Sequence, residues 1–335
     1  MSSEVPVILY RYDASPFSHK IDNVLSLKRI PYYKVDVSST LPRPEITEYL
    51  GLPYRRIPIL AIGNDVYCDT SLIVSVLEQR FPAEKGFETI FPAQKHGGKP
   101  DTGLIKALSK FYADDNLFAL AAELLPWTKF PPSFVADRSQ FYGSEVNVKA
   151  IEQSVPYKQS ILAAHLLLLE EQLKDSREWL FNTVQPSLAD ISLHFVFAWA
   201  RTFKSTKAVF DAKEIPFTLR WLDRLTALIS NERQGQPPPI KLHGEEAATK
   251  IASSTHESYG VVGFDVRDAS RLGFAVGDTV QVAPVDTGKN KPTTGKLVAL
   301  SREQIVLEVR GSKGLIRCHF PRLGFSAKSA SLAKL

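Results

Sequence analysis

The chain has 335 residues, of which 44% are hydrophobic and 23% charged, with a formal net charge of +5. At roughly 150 residues per domain this length suggests two or three domains, and the composition is ordinary for a globular protein. These values exclude a disordered polymer, a collagen-like repeat and a disulfide scaffold, since Cys68 and Cys318 are the only cysteines. We therefore expect a reducing compartment, with the cytoplasm as the default location.

Membrane insertion and secretion are not expected from the sequence. No apolar run reaches the roughly 18 residues that a membrane helix needs, and the first residues lack a basic stretch followed by a long apolar core. The chain ends in Ala333-Lys334-Leu335. This is a small–basic–leucine variant of the peroxisomal address, so peroxisomal import is an alternative location.

The positive charge belongs to one part of the chain. Residues 1–257 hold 29 Lys and Arg against 30 Asp and Glu, whereas residues 258–335 hold 12 against 6. The basic residues of this tail form no long run and have few aromatic neighbours, so a solvated surface is favoured over RNA or protein binding. Three consecutive prolines and many polar residues predict a linker over residues 232–257.

Residues 1–85 predict a small α/β unit with a mixed sheet. Apolar runs bounded by turn residues predict its strands, and a hydroxyl residue followed by proline predicts the start of its first helix. Gly63-Asn64 predicts the turn of a strand hairpin. In chain order the predicted elements are a strand, a helix, a strand, a hairpin and a helix, at residues 5–12, 15–28, 32–37, 57–68 and 71–81.

Two further units follow. Residues 101–231 carry helix-period apolar faces and predict an all-helical unit, which residues 130–157 interrupt, either to line a pocket or to lie on a dimer surface. Residues 258–330 alternate short β-rich runs with glycine and charged turns, which predicts a small all-β barrel or sandwich. The predicted strands of this last unit lie at residues 259–266, 278–285, 295–300, 304–309 and 315–320.

Four short motifs carry more specific information. They are Ser15-Pro16-Phe17 at a helix start, Ile57-Pro58 before an apolar strand, Asp69-Thr70 at the next helix start, and Ser187 to Asp190 at the start of an apolar helix. Together they resemble the cytosolic glutathione transferase family over about residues 5–231. The resemblance implies a thioredoxin-like α/β domain followed by an all-helical domain, and it does not reach the β-rich tail. The first motif is most similar to the zeta class and, with serine in place of cysteine, to omega-type helices.

Ser15 has two interpretations. A serine directly before a proline is typical of a helix cap, whose oxygen accepts a backbone N–H. The resemblance implies a catalytic function as well, in which the hydroxyl donates to the thiolate of glutathione at the positive end of the helix. Tyr10 and Tyr12 are rival hydroxyl groups.

The resemblance also implies which residues bind glutathione. The Ile57–Pro58 peptide bond would be cis, and the Ile57 backbone would pair with the cysteinyl backbone of the tripeptide. Asp69 would take the γ-glutamyl ammonium group and Thr70 the carboxylate of the same unit, although both residues also suit a plain helix cap. Arg43 would contact the glycyl carboxylate, and an exposed loop arginine is the alternative.

The remaining candidates are structural or apolar. Ser187 and Asp190 fit a capping box and are expected to be structural rather than catalytic. Aromatic residues at helical spacing would line the second substrate pocket or pack in the core; they are Phe111, Tyr112, Trp127 and Phe130. No metal-ligand spacing or glycine-rich phosphate loop occurs in the sequence, so no metal is expected.

The resemblance implies a glutathione-dependent transferase or isomerase. Such an enzyme adds the glutathione thiolate to an apolar electrophile, here an α,β-unsaturated carbonyl compound, and the product is either a conjugate or a cis–trans isomer. A homodimer is expected by the same resemblance. The alternative is a non-catalytic binding or regulatory protein of the same fold whose β-rich tail binds protein or RNA, and the tail itself favours this alternative.

Overall fold

The fold is described from a computed structural model over residues 5–330. The Ala333-Lys334-Leu335 motif lies outside these residues, so peroxisomal import stays a prediction. Between residues 5 and 330, none of the helices combines the length and the apolar character that crossing a membrane requires.

The N-terminal unit is the predicted α/β unit with a mixed sheet. Strand β1 pairs in parallel with β2 and antiparallel with β3, and β3 forms the predicted hairpin with β4. One short helix, α2, lies between β2 and β3. The elements are β1 (Val7–Arg11), α1 (Pro16–Leu27), β2 (Tyr33–Asp36), α2 (Pro44–Thr47), β3 (Ile59–Ile62), β4 (Asp65–Cys68) and α3 (Thr70–Arg80).

The second unit is helical, as predicted. Its first helix passes through a π-helical segment, Leu108–Leu117, that joins α4 to α5. The interrupting residues 130–157 are themselves mostly helical, because α6 and the start of α7 lie there. The helices are α4 (Thr102–Ala107), α5 (Phe118–Glu123), α6 (Pro132–Tyr142), α7 (Val148–Leu173), α8 (Leu188–Arg201) and α9 (Pro216–Gln234).

The C-terminal region begins inside the predicted linker. Residues 232–257 contain strand β5 (Ile240–Lys241) and helix α10 (Gly244–Ser253), and Ala247, Ala248 and Ile251 of α10 are buried. The sequence missed this helix because alanine contributes little to an apolar periodicity. The remaining elements are α11 (Tyr259–Val262), α12 (Val266–Leu272), β6 (Thr279–Pro284), β7 (Thr293–Leu300), β8 (Gln304–Gly311), β9 (Gly314–Pro321) and β10 (Phe325–Ser329).

The predicted strand at residues 259–266 is wrong. These residues form α11 and the start of α12, and the side chain of Ser258 accepts the backbone N–H of Gly260 at the start of α11. Gly263 then ends this short helix with φ +77°, in the region that favours glycine. A valine pair between two glycines therefore does not mark a strand, and the fifth strand after residue 258 is β10.

The C-terminal strands continue the N-terminal sheet. One ten-stranded sheet runs in the order β10-β6-β7-β8-β9-β4-β3-β1-β2-β5. Its two halves meet where β9 pairs in parallel with β4, with Val66 opposite Cys318. A closed barrel is therefore not confirmed. In the N-terminal unit alone β4 would be an edge strand with unpaired backbone groups, and β9 satisfies them.

Polar groups cross this β4–β9 junction. The Asp65 carboxylate receives His319 Nε2 at 3.1 Å and the Glu257 backbone N–H at 2.7 Å. Burial raises the pKa of Asp65, but the contacts with His319, the Glu257 backbone N–H and Arg80 together outweigh burial and leave the pKa lowered. The free thiols of Cys68 and Cys318 are buried beside this network, with their Sγ atoms 3.8 Å apart. Buried side chains from the two halves of the sheet therefore hydrogen-bond and pack against each other across the β4–β9 junction.

A close backbone approach adds a second contact between the halves. A Cβ atom on Gly311 would lie 2.1 Å from the Tyr49 carbonyl oxygen, and one on Gly51 would lie 2.4 Å from that of Arg310. Gly51 also has φ +71°. Only glycine permits the β8–β9 turn to pack this closely against the loop after α2.

Candidate active site

A cavity of about 730 Å³ lies where the three regions of the chain meet. The N-terminal unit supplies all of the predicted glutathione-site residues, which are Ser15, Arg43, Ile57, Pro58, Asp69 and Thr70. The helical unit supplies charged and aromatic side chains, including Lys110, Asp115, Phe118, Trp127, Phe141 and Tyr142. The C-terminal region closes one side with Val285, Asp286, Thr287 and Gly324.

Ser15 caps helix α1 and also faces the cavity. Its Oγ accepts the backbone N–H of Ser18 at 3.2 Å, and Pro16 occupies the first turn. Among the described residues the Ser15 hydroxyl donates no hydrogen bond, so its proton is available to an acceptor in the cavity. The cap therefore uses the acceptor side of this hydroxyl and leaves the donor side free.

Asp69, like Ser15, uses only part of its hydrogen-bonding capacity to cap a helix. Oδ1 accepts the backbone N–H of Ser71 at 3.0 Å and its hydroxyl at 2.6 Å, which caps α3. Within residues 5–330, Oδ2 accepts no hydrogen bond, and Arg56 Nη1 lies 3.6 Å from it. Burial raises the pKa of Asp69, but Lys110, the Ser71 hydrogen bonds and Arg56 outweigh burial and leave the pKa lowered. Asp69 is therefore ionised at neutral pH with one oxygen open.

Thr70 joins α3 to the helical unit. Its hydroxyl donates to Asp114 Oδ2 at 3.2 Å, and Lys20 Nζ contacts both oxygens of Asp114 at 2.7 Å. Burial raises the pKa of Asp114, although Lys20 opposes this shift. The Thr70 hydroxyl proton already has an acceptor. The donor that Thr70 can offer a ligand is therefore its backbone N–H, which lies at the start of α3.

The Ile57–Pro58 peptide bond is cis, as the resemblance implies. Both residues line the cavity, and they lie just before β3, which begins at Ile59. The Ile57 backbone is thus outside the strand pairing of β3 with β1.

Arg43 is buried rather than exposed. Its guanidinium donates to the carbonyl oxygens of Ser38, Arg55 and Ser39 at 2.7, 2.5 and 3.1 Å. Burial lowers the pKa of Arg43 to about 10. These contacts brace the loop around α2, so Arg43 lines the cavity with most of its donors already used.

The aromatic candidates separate into two groups. Tyr12 and Trp127 line the cavity. Tyr10 is fully buried in the core, where burial raises its pKa, and it does not line the cavity. Phe111 and Tyr112 do not line the cavity either: Phe111 is half exposed, and the Tyr112 hydroxyl pairs with His165 Nδ1 at 2.8 Å. Helical spacing places a side chain on one face of a helix but does not say which neighbour covers that face.

Phe130 lies outside this cavity. It contacts the rings of Trp127 and Phe134, with centroid distances of 5.8 and 4.7 Å. This aromatic group joins α6 to the turn before it. The interruption at residues 130–157 nevertheless lines the cavity through Phe141, Tyr142 and the residues that follow them, which favours the first of its two expected positions.

Ser187 and Asp190 form the expected capping box at the start of α8. Asp190 Oδ2 accepts the Ser187 backbone N–H at 2.9 Å, and Oδ1 accepts Trp221 Nε1 at 3.0 Å. Burial raises the pKa of Asp190. Both residues are buried away from the cavity, in agreement with a structural function.

Sequence reasoning missed several charged residues of the cavity. Lys110, Asp114 and Asp115 reach it from the π-helical segment, and Arg56 and Asp286 reach it from loops. The signal for the first three was a lysine and two consecutive acids on a largely apolar helix. Arg56 directly precedes the Ile57-Pro58 motif, but no local pattern marks it as a site residue, and nothing in the sequence links it to Asp286.

Comparisons with known proteins agree with this architecture. Residues 9–85 match the family profile described as the glutathione S-transferase N-terminal domain, and residues 120–234 match a domain of unknown function, DUF7962. No curated protein matches the chain. The two profiles together leave the C-terminal strands unassigned.

Solved structures extend the likeness. A GST-like protein from Pseudomonas syringae is similar over 97% of this chain and 99% of its own, with 26% identity and a TM-score of 0.69. Poplar glutathione transferase F1 is similar over 69% of this chain and 99% of its own, with 17% identity and a TM-score of 0.50, which shows the fold alone. The comparisons therefore support a relationship to glutathione transferases, by sequence in the N-terminal unit and by fold across nearly the whole chain.

Proposed function

We propose that this protein is a serine-type glutathione transferase that activates the glutathione thiol with Ser15. The observation that carries the proposal is a pair of polar groups in one cavity that have no hydrogen-bond partner within residues 5–330: the Ser15 hydroxyl proton, which has no acceptor, and Oδ2 of Asp69, which has no donor. A tripeptide with a thiol near its centre and an ammonium group at one end presents complementary groups to both. The match of residues 9–85 to the transferase N-terminal domain supports this assignment.

Different residues of the chain would bind different groups of the tripeptide. Asp69 Oδ2 accepts the γ-glutamyl ammonium, and the Thr70 backbone N–H, with Lys110 in the same cavity, takes the adjoining carboxylate. The Ile57 backbone pairs with the cysteinyl unit in a strand-like manner. Most N–H donors of Arg43 already bind backbone carbonyl oxygens, so its contribution to the cavity wall is its positive charge.

Ser15 would lower the thiol pKa of glutathione in two ways. Its hydroxyl donates to the sulfur anion, and its position at the start of α1 places that anion at the positive end of the helix. A hydrogen bond to a charged group is worth about 1.5–3 kcal/mol, which corresponds to one or two units from the ordinary thiol pKa of about 8.5. Glutathione supplies the thiolate nucleophile, which adds to an electrophilic carbon.

The helical side of the cavity suits an apolar electrophile. Phe118, Trp127, Phe141 and Tyr142 present aromatic surface there. We propose an α,β-unsaturated carbonyl compound as the substrate class, with conjugation or cis–trans isomerisation as the outcome. The C-terminal region closes this cavity, and this arrangement favours an enzyme over the regulatory alternative that the extra region suggested.

The first test combines calorimetric titration of glutathione with the Ser15→Ala variant. We expect wild-type protein to bind glutathione and to show thiolate absorbance at neutral pH. Ser15→Ala should still bind glutathione but should raise the thiol pKa by about one to two units. Ser18→Ala, which removes a buried hydroxyl one turn later, is the matched control and should leave the thiol pKa unchanged.

Two outcomes would count against the proposal. Absence of binding heat with wild-type protein at millimolar glutathione would exclude a glutathione enzyme. An identical thiol pKa in wild-type and Ser15→Ala protein would remove Ser15 from the reaction and leave it as a cap.

A further inference from the structure

The loop between β6 and β7 brings an acidic side chain to the glutathione end of the cavity. We infer that Asp286 on this loop is a positioning residue: it holds the Arg56 guanidinium away from Asp69 and so keeps Asp69 Oδ2 open for the γ-glutamyl ammonium. This inference rests on the proposed function. It assigns the C-terminal region a part in ligand binding.

Arg56 is held by the loop through two groups. Its Nη2 contacts the Asp286 carboxylate, and the Thr287 carbonyl oxygen accepts from Nε at 3.1 Å and from Nη2 at 2.9 Å. The ring of Phe325 lies under the guanidinium at 5.9 Å. By contrast, Arg56 Nη1 is 3.6 Å from Asp69 Oδ2, too far for a hydrogen bond. The loop therefore has the stronger hold on Arg56.

Arg56 and a ligand ammonium compete for the same oxygen. Asp69 is more buried than Asp286, with side-chain exposures of 8% and 57%. A charge pair is stronger where the local dielectric constant is lower, so an Arg56 released from Asp286 would move onto Asp69. The ligand ammonium would then have to displace from Asp69 a guanidinium group that can donate two hydrogen bonds to the same carboxylate.

The loop is anchored independently of Asp286. The Gly288 backbone N–H donates to the Phe141 carbonyl oxygen at 2.7 Å, which ties the loop to helix α6. Gly288 has φ +70°, and a Cβ atom there would lie 3.1 Å from the Arg55 side chain. A substitution at Asp286 should therefore remove the charge partner of Arg56 while the loop keeps its place.

The test compares glutathione binding by wild-type protein, Asp286→Asn and the double variant Arg56→Gln/Asp286→Asn. Asp286→Asn should weaken glutathione binding about tenfold. The double variant should recover most of that loss, because the competing guanidinium is gone. Glu245→Gln, which removes one acid from an exposed ion pair with Lys313 in the same region, is the control and should bind normally.

A second ligand isolates the ammonium group. An analogue of glutathione that lacks the γ-glutamyl ammonium should bind wild-type protein and Asp286→Asn equally. Equal loss for both ligands, or a double variant no better than Asp286→Asn, would overturn the inference and leave Asp286 as a support of the loop. If wild-type protein does not bind glutathione, the proposed function fails and this inference fails with it. If wild-type protein binds and Asp286→Asn is unchanged, only this inference fails.

Discussion

Ser15 and Asp69 each cap a helix and also line the cavity. Each was open to two interpretations in the sequence, as a cap or as a functional group. The structure finds the cap at both positions, through Ser18 N–H and Ser71 N–H. Among the described residues, the Ser15 hydroxyl proton has no acceptor and Asp69 Oδ2 accepts no hydrogen bond, because a hydroxyl and a carboxylate each offer more sites than one cap uses.

Asp69→Asn separates these two functions. Asparagine caps a helix about as well as aspartate and has nearly the same shape, so it meets the same backbone conformation of φ 74° and ψ 133°, and the free energy of unfolding should change by less than about 1 kcal/mol. Glutathione affinity should fall about 10- to 100-fold with the loss of the charge-assisted hydrogen bond. Calorimetry and chemical denaturation measure the two effects. Equal affinity in the two proteins would exclude Asp69 as the ammonium partner.

The same variant has a pH signature. The pKa of Asp69 is lowered in the folded protein, so its charge contributes stability above the unfolded pKa of about 3.9. That contribution is lost as the pH falls through the folded-state value. The stability difference between wild type and Asp69→Asn should therefore be constant at neutral pH and shrink on acidification below about pH 4.

At the scale of elements, the π-helical segment connects the two main units. Its Asp114 binds Lys20 of α1 and receives the Thr70 hydroxyl at the start of α3. The side chains of Lys20 and Asp114 are 1% and 4% exposed, so neither charge is screened by water. This network fixes the start of α3, and with it Asp69, relative to the helical unit.

Lys20→Met should destabilise the protein by about 3–5 kcal/mol, because it leaves a buried carboxylate without its partner. Lys20→Met/Asp114→Asn should recover part of this loss, since the unpaired charge is removed. Lys95→Met is the control: it breaks the exposed Lys95–Glu178 pair and should change stability by about 0–1 kcal/mol. Chemical denaturation measures all three, and a Lys20→Met protein as stable as the control would contradict the prediction.

At the scale of the whole molecule, the C-terminal strands belong to the same sheet as the N-terminal unit. The junction pairs β4 with β9, and the side chains of Val66, Cys68, Leu307 and Cys318 share one buried cluster. The basic residues between positions 258 and 330 therefore lie on helix α12 and on the strands and loops of the region that extends this sheet.

A chain that ends at residue 257 should lose glutathione binding and aggregate. Truncation would expose the edge of β4 with its apolar neighbours and would open the side of the cavity that Val285 to Thr287 closes. A chain that ends at Ala330 is the control. Size-exclusion chromatography and calorimetric titration compare the two, and a monomeric truncated protein with normal glutathione affinity would show that the C-terminal region is separable.

Local patterns predicted the elements whose signals are complete within a few residues. The hairpin at Gly63-Asn64, the capping box of Ser187 and Asp190, and the Ser15 helix start are all present. The strand predicted at residues 259–266 failed because a valine pair between glycines fits a single helical turn equally well. Phe111 and Tyr112 failed as pocket residues because helical spacing does not identify the packing partner.

By itself, the sequence determined the α/β unit, the helical unit and the local motifs at Ser15, Ile57-Pro58 and Asp69-Thr70, since each depends on neighbours in the chain; that these motifs share one site was implied by the family resemblance. Only the tertiary structure decided how the C-terminal region is used. The pairing of β4 with β9 and the contact of Arg56 with Asp286 join residues more than 200 positions apart. Such contacts depend on which surfaces meet when the chain packs, and no local periodicity or charge pattern encodes that choice.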